Sequence, residues 1–191
     1  MPWFDGTDTV TPLPPARRAV LALGSNQKPR EEFLDLALTE FQDQGIALLA
    51  AGPRWNTAPV DAPPQPDFLN QVVLVRGPRS GLGWLELAQA AEARAGRRRG
   101  IAQGPRTLDV DVIVIEDEHW DTPQLRVPHQ ALMTRPYLLR GTALVAPEWV
   151  VPGQELTILA LARQRLGGGW ALGDWRPSLP IDAVDDGPSP V

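Results

Sequence analysis

Residues 104–116 read Gly-Pro-Arg-Thr-Leu-Asp-Val-Asp-Val-Ile-Val-Ile-Glu. From Thr107 to Glu116 they alternate well enough to predict a β-strand. Before it lies an Arg-rich loop, Gly96–Pro105, and before that a helix carrying Leu82, Leu85, Ala88 and Ala91, capped by Ser80 and running to about Arg94. Phe68 to Arg76 reads as another strand. It follows a loop in which Pro53, Pro59, Pro63, Pro64 and Pro66 exclude regular sheet hydrogen bonding. A strand over about Ile46–Asn56 precedes that loop. Further back, Phe33, Leu34, Ala37, Leu38 and Phe41 stand at helical spacing between Pro29 and Gly45, with Glu31 and Glu32 in the first turn. The apolar run Ala19–Leu23, stopped by Gly24-Ser25-Asn26, is a buried strand. With residues 107–116 as its fourth strand the order is βαββαβ, an α+β, ferredoxin-like fold with an antiparallel sheet. Periodicity over Leu132–Val145 and Leu156–Leu166 adds C-terminal helices. The expected domain is 17–166, between a flexible arm over 1–16 and a flexible acidic tail over 167–191.

Composition narrows the chemistry. The 191 residues favour one domain, and 43% hydrophobic content supports a core. The chain has no cysteine, which excludes disulfides, thiolate metal sites and a Cys nucleophile. Its 2 histidines exclude a multi-histidine zinc site. A net charge of −5 argues against a general nucleic-acid binder. No apolar run reaches membrane-spanning length and no secretory signal is visible, so a cytoplasmic protein is expected.

Asp109-Val110-Asp111 is the sharpest local feature. On a strand both carboxylates share one face. At ~6 Å and an effective dielectric of ~20, they repel by roughly 3 kcal/mol, so a cation is expected between them. Carboxylates together with substrate phosphates are what Mg²⁺ uses. Alone, such a pair is as readily two solvated acids on an exposed sheet face. Its setting is Arg94, Arg97, Arg98, Arg99 and Arg106 against the single acid Glu92. Guanidinium groups fork onto phosphate oxygens at any working pH, although a run of arginines is also commonly a solvated loop or a set of ion pairs. Gly104-Pro105 stiffens the approach to Arg106. Gln89 and Glu92 share a helix face and could contact a ribose or base, or could simply be solvated. His129, after Pro128, is a candidate phosphate ligand.

Several motifs are missing. The chain has no G-x-x-x-x-G-K-[ST], and Lys28 is its only lysine. Gly81-Leu82-Gly83 lacks the third glycine of a dinucleotide site. Phosphate handling therefore rests on arginine and metal.

The chain resembles the 6-hydroxymethyl-7,8-dihydropterin pyrophosphokinases of folate biosynthesis over about residues 18–152. The resemblance is carried by Leu23-Gly24-Ser25-Asn26, Asn56-Thr57-Ala58-Pro59 and Gln65-Pro66-Asp67-Phe68-Leu69-Asn70. It continues in Gly96-Arg97-Arg98-Arg99, Gly104-Pro105-Arg106-Thr107-Leu108-Asp109-Val110-Asp111, Val127-Pro128-His129 and Arg135-Pro136-Tyr137. It implies transfer of pyrophosphate from ATP to the pterin, releasing AMP. Asp109 and Asp111 would hold two Mg²⁺ ions, while Gln89, Glu92, Arg97, Arg99, Arg106, His129 and Arg135 line the ATP site. Arg97 and Arg106 would neutralise charge during transfer, and the Val112 backbone would touch adenine. Thr57, Ala58, Val60 and Asn70 fall at pterin-binding positions, with Phe68 and Tyr137 stacking on the ring. The alternative for Phe68 is an ordinary core residue of its strand. The chain departs from the family at Gln103, where Trp is frequent in a loop one residue longer, and at Gln124, Arg126 and Gln130. A monomer is expected, acting on small molecules without nucleic acid or membrane. The competing readings are a two-metal phosphohydrolase and a ferredoxin-like RNA-binding module, although the latter's aromatic strand motif is missing.

Overall fold

The structure, a computed structural model, describes residues 14–60, 62–97 and 104–167. The expected arm and tail lie almost wholly outside these residues, and Arg98, Arg99 and Gln103 lie outside them as well. The elements are β1 (Arg17–Ser25), α1 (Arg30–Asp43), β2 (Ala47–Ala51), β3 (Trp55–Thr57), β4 (Phe68–Gly77), α2 (Gly81–Arg94) and β5 (Asp109–Ile115). They continue with a short hairpin, β6 (Trp120–Asp121) and β7 (Arg126–Val127), then α3 (Pro136–Val145) and α4 (Ile158–Leu166). The sheet order is β2-β4-β1-β5, with every pairing antiparallel. This is the expected ferredoxin-like arrangement, with β1 at its centre.

Local chemistry sets the helix ends. Ser80 caps α2 by accepting from the Gly83 N–H at 3.1 Å, and Thr157 caps α4 through the Ala160 N–H at 3.2 Å. Gly45 ends α1 in the left-handed region at φ 73°, a conformation glycine adopts without steric cost. Pro136 opens α3 where no intrahelical donor is needed, so the helix starts at 136 rather than at Leu132.

The expected strand over residues 46–56 is two strands. Pro53 offers no N–H to a ladder, and the chain turns there. Gly52 N donates to Val72 O at 2.8 Å, and its carbonyl accepts from the buried Gln71 Nε2 at 2.9 Å. β3 then re-pairs with β4, Trp55 opposite Asn70 and Thr57 opposite Phe68. The last large strand begins at Asp109 rather than Thr107, because the Arg106 backbone is bonded to Asn26 instead of to a neighbouring strand.

Strand parity sorts the core into two layers. Ala19, Leu21 and Leu23 of β1, Val73 and Val75 of β4, and Val110 and Val112 of β5 pack on the side of α1 and α2. Val20 and Ala22, Val72 and Leu74, and Ile113 face α3 and α4. The C-terminal helices thus cover the sheet face that a two-layer ferredoxin-like fold leaves open. Ile113 is an extra residue opposite β1, and beyond it Val114 joins the same layer.

α3 approaches the sheet closely because Gly141 has no side chain. A Cβ there would lie 2.3 Å from Val72 Cγ2 and 2.6 Å from Val72 Cβ. Gly141→Ala gains ~1 kcal/mol of helix propensity but overpacks a central strand at a cost of roughly 1–3 kcal/mol. A net loss of stability is expected in thermal melts, reversed by a concurrent Val72→Ala.

At the end of the sheet away from Asp109, Glu116 accepts from Arg18 Nε at 3.0 Å and from the Arg18 backbone. Arg18 holds the Glu116 carboxyl below the usual glutamate range. Its contribution to stability is therefore present above about pH 4.3 and is lost as pH falls through the lowered value. The melting temperature of Glu116→Gln should decline less steeply than wild type over that acid interval.

Candidate active site

Three adjacent strands meet at one end of the sheet in a row: Asn70 on β4, Gly24 on β1 and Asp109 on β5 are paired residues in the ladders. Asn70 and Asp109 stand two strands apart, roughly 10 Å, with no side chain between them. A Cβ on Gly24 would lie 2.8 Å from Asn70 Oδ1 and 3.7 Å from Phe68 Cδ1. The gap is the floor of a cavity of about 380 Å³ on the α3 side. Phe68 and Tyr137 are both half-buried in its wall, so Phe68 is not an ordinary core residue. Thr57, Ala58 and the 62% exposed Val60 form its rim. Asn70 Nδ2 donates to Thr57 Oγ1 at 2.6 Å, which leaves the Asn70 carbonyl oxygen free of that bond and facing the gap above Gly24. The cavity offers two aromatic rings, an amide and a hydroxyl, suited to a flat polar heterocycle.

The Asp109 and Asp111 carboxylates both face this cavity, and Val110 points into the opposite core. Asp109 is neutralised from two directions. Arg97 Nη1 lies 2.7 Å from its Oδ1, and Arg106 Nη1 donates to its Oδ2. Arg97 also pairs with Glu92, which accepts from the Val110 N–H at 2.9 Å. Burial pushes the Glu92 carboxyl above its ordinary range, against that backbone bond and Arg97. Among the described residues Asp111 makes no ion pair. Burial first, and then the Asp109 charge, push its carboxyl up, opposed by His129, Arg135 and Arg106.

Asp111 also lines a second cavity, of about 400 Å³, at the outer edge of β5. Val112, His129, Leu85 of α2 and the turn between β6 and β7 form the rest of its wall. Because the Val110 N–H points to this edge, strand alternation turns the Val112 N–H the same way. His129 Nδ1 accepts from the Ala131 N–H at 3.2 Å, so a neutral ring carries its proton on Nε2.

The fold therefore gathers most of the expected site residues. Thr57, Ala58, Val60, Phe68, Asn70, Tyr137, Arg106 and Arg135 surround the first cavity, and Val112 and His129 the second. Gln89 is exposed on α2 and lines neither. Arg99 lies outside the described residues. Asn26 was given no role by sequence reasoning, yet it is 2% exposed and ties the site together. Its Oδ1 accepts from the Arg106 N–H at 2.7 Å, while its Nδ2 donates to Gln65 Oε1 at 2.8 Å and Pro66 O at 3.1 Å. It thus joins the arginine strand lead to the Pro-rich loop. The one available signal was a polar residue closing an otherwise apolar strand.

Residues 20–147 match the family of 7,8-dihydro-6-hydroxymethylpterin-pyrophosphokinase. The chain belongs to this pyrophosphokinase family. It is 34% identical over 146 residues to a 2-amino-4-hydroxy-6-hydroxymethyldihydropteridine pyrophosphokinase of a Synechocystis strain, covering 76% of this chain and 75% of that one. The enzyme of the same name from Pseudomonas aeruginosa is 34% identical over 148 residues, covering 76% and 91%. In fold the chain is similar to a Plasmodium falciparum HPPK-DHPS solved with pteroate, at TM-score 0.61 and 13% identity. That match covers 78% of this chain and 42% of the larger protein. The chain is thus a pyrophosphokinase of folate biosynthesis, which disfavours the phosphohydrolase and RNA-binding readings.

For this pyrophosphokinase the bare Gly24 position decides whether the first cavity has a floor. Gly24→Ala should raise the KM of the substrate that occupies the first cavity by about tenfold, since its Cβ would press on the Asn70 carbonyl. The KM of the other substrate should change by less than about twofold if it is held in the second cavity, beyond β5. Steady-state kinetics with each substrate varied in turn checks this.

Proposed function

We propose that the first cavity binds 6-hydroxymethyl-7,8-dihydropterin, that the second binds ATP, and that pyrophosphate passes between them at Asp111. The observation that carries this reading is the membership of Asp111 in the walls of both cavities. A reaction joining two substrates needs one place that both can reach.

The donor set suits Mg²⁺. Two carboxylates share a strand face, and the half-buried Asp111 has its carboxyl pushed up by burial and by the charge of Asp109, a repulsion that a divalent cation relieves. Among the described residues no group of three acidic or histidine side chains forms a closed metal cage. This accords with an ion that takes its remaining oxygens from water and substrate phosphates. Asp109 and Asp111 would hold two Mg²⁺ ions, which supply Lewis-acid stabilisation of the phosphate oxygens when bound.

The protein's own groups then divide the work. Phe68 and Tyr137 clasp the pterin ring, while Asn70 and Thr57 read its edge. The hydroxymethyl oxygen, turned toward β5, attacks the β-phosphorus of ATP as AMP departs. Asp109 is already engaged by Arg97 and Arg106, which supports Asp111 as the carboxylate that takes the hydroxyl proton. Arg97 and Arg106, with two and one acidic partners respectively, exchange part of that pairing for phosphate oxygens and offset charge during transfer. The Nε2–H of His129 and the guanidinium of Arg135 add donors, and the Val112 backbone holds the adenine edge.

Glu92 pairs with Arg97, and the family resemblance assigns Arg99, outside the described residues, to ATP binding. Residues 17–166 constitute the catalytic unit, working as a monomer in the cytoplasm, with 1–16 and 167–191 outside it. No helix among the described residues is long and apolar enough to cross a membrane.

Incubation with ATP, Mg²⁺ and the dihydropterin should yield AMP and a pterin diphosphate by nucleotide chromatography. ADP or free phosphate formed without pterin would overturn the proposal. Asp111→Ala should remain folded by circular dichroism and lose at least about 10³-fold in turnover. Removing Mg²⁺ with a chelator should abolish turnover of the wild type and be reversed by adding the ion back.

A further inference from the structure

The Ser80-Gly81-Leu82-Gly83 start of α2 is not a dinucleotide turn, and the cavities do not explain Gly81. Its neighbour does. A Cβ on Gly81 would lie 2.3 Å from Trp120 Cε2, 2.4 Å from Nε1 and 2.5 Å from Cζ2, so the indole of β6 rests directly on the bare backbone of α2. Trp120 Nε1 donates to Glu118 Oε2 at 2.6 Å, which restrains the ring.

The hairpin that carries Trp120 is asymmetric in how it is held. β7 and the residue before it are anchored by Val127 and Leu125, both buried in the α1/α2-side core. Among the described residues β6 pairs only with β7. Apart from that pairing, its packing onto the rest of the protein is the half-buried Trp120 against that same core. Between the two strands the turn is tight, with Thr122 N donating to Leu125 O at 3.0 Å and Leu125 N to Thr122 Oγ1 at 3.0 Å. Residues Thr122, Pro123 and Gln124 of this turn form one wall of the second cavity.

We propose that Trp120, seated on Gly81, is a positioning residue that sets the nucleotide-cavity wall of Thr122–Gln124. The inference rests on the reading of the second cavity as the ATP site. A rigid turn moves as a unit, so a displaced indole shifts the whole wall rather than one side chain, and a misplacement near 1 Å is costly for a positioned substrate.

Gly81→Ala and Trp120→Leu are tested singly and together. Calorimetry with Mg²⁺ and a nonhydrolysable ATP analogue is combined with the KM for each substrate and with thermal melts. Each single variant should weaken nucleotide binding and raise the KM for ATP by about tenfold, leaving the pterin KM within about twofold and kcat at saturation near wild type. The two residues form one contact, so the double variant should lose about tenfold rather than the hundredfold of independent effects. Unchanged nucleotide affinity in folded variants, equal rises in both KM values, or a lower melting temperature alone would each overturn the inference. A wild type that turns over pterin yet binds no nucleotide analogue would overturn the assignment of the second cavity, and this inference with it. Wild-type binding with indifferent variants would overturn this inference alone.

Discussion

Two carboxylates two residues apart on one strand face are the constraint around which this protein is arranged. Left in a half-buried setting they repel, and the fold answers unevenly. Asp109 receives two guanidiniums, while Asp111 keeps a raised carboxyl and no ion pair among the described residues. That imbalance gives the pair its character. One acid organises the arginines, and the other stands as an incompletely compensated charge at the meeting point of two cavities. A site of this kind stores a preference for a cation with open coordination positions, which a substrate rich in phosphate oxygens can fill.

The surrounding architecture keeps the pair where both cavities can reach it. β1 is the central strand, and its Gly24 opens a gap between Asn70 and Asp109 instead of filling it. α3 and α4 close over the same sheet face, bringing Tyr137 into the same cavity wall as Phe68. Asn26 bonds the Arg106 backbone on one side and the Pro-rich loop on the other, so the arginine-bearing lead to β5 and the loop beside the first cavity share one buried amide. An amide with four bonding capacities is well matched to such a junction, where a charged group would have needed a counterion.

Much of this was legible along the chain because its signals are local. Period-two alternation in residues 107–116 marks a strand and places both acids on one face, and helical spacing with Ser80 ahead of it marks α2. The strand expected over 46–56 divided because Pro53 and Gly52 act through partners on β4, which the linear pattern does not name. Phe68 was ambiguous between core and site for a similar reason. Alternation tells which face it takes, but what covers that face depends on helices more than sixty residues away. Gln89 shows the reverse, since a shared helix face with Glu92 did not bring it to either cavity.

Sequence alone determined the strand and helix order, the family resemblance, the carboxylate pair and the supply of arginines, because these depend on residue type, order and short spacing. Tertiary structure decided that Asp109 takes both guanidiniums, that Asp111 belongs to two cavities, that Asn26 is a junction and that Gly81 seats Trp120. Apart from the Arg106–Asp109 pair, these are contacts between residues well separated in the chain. Their existence depends on ångström-scale packing, which no pattern of neighbours encodes.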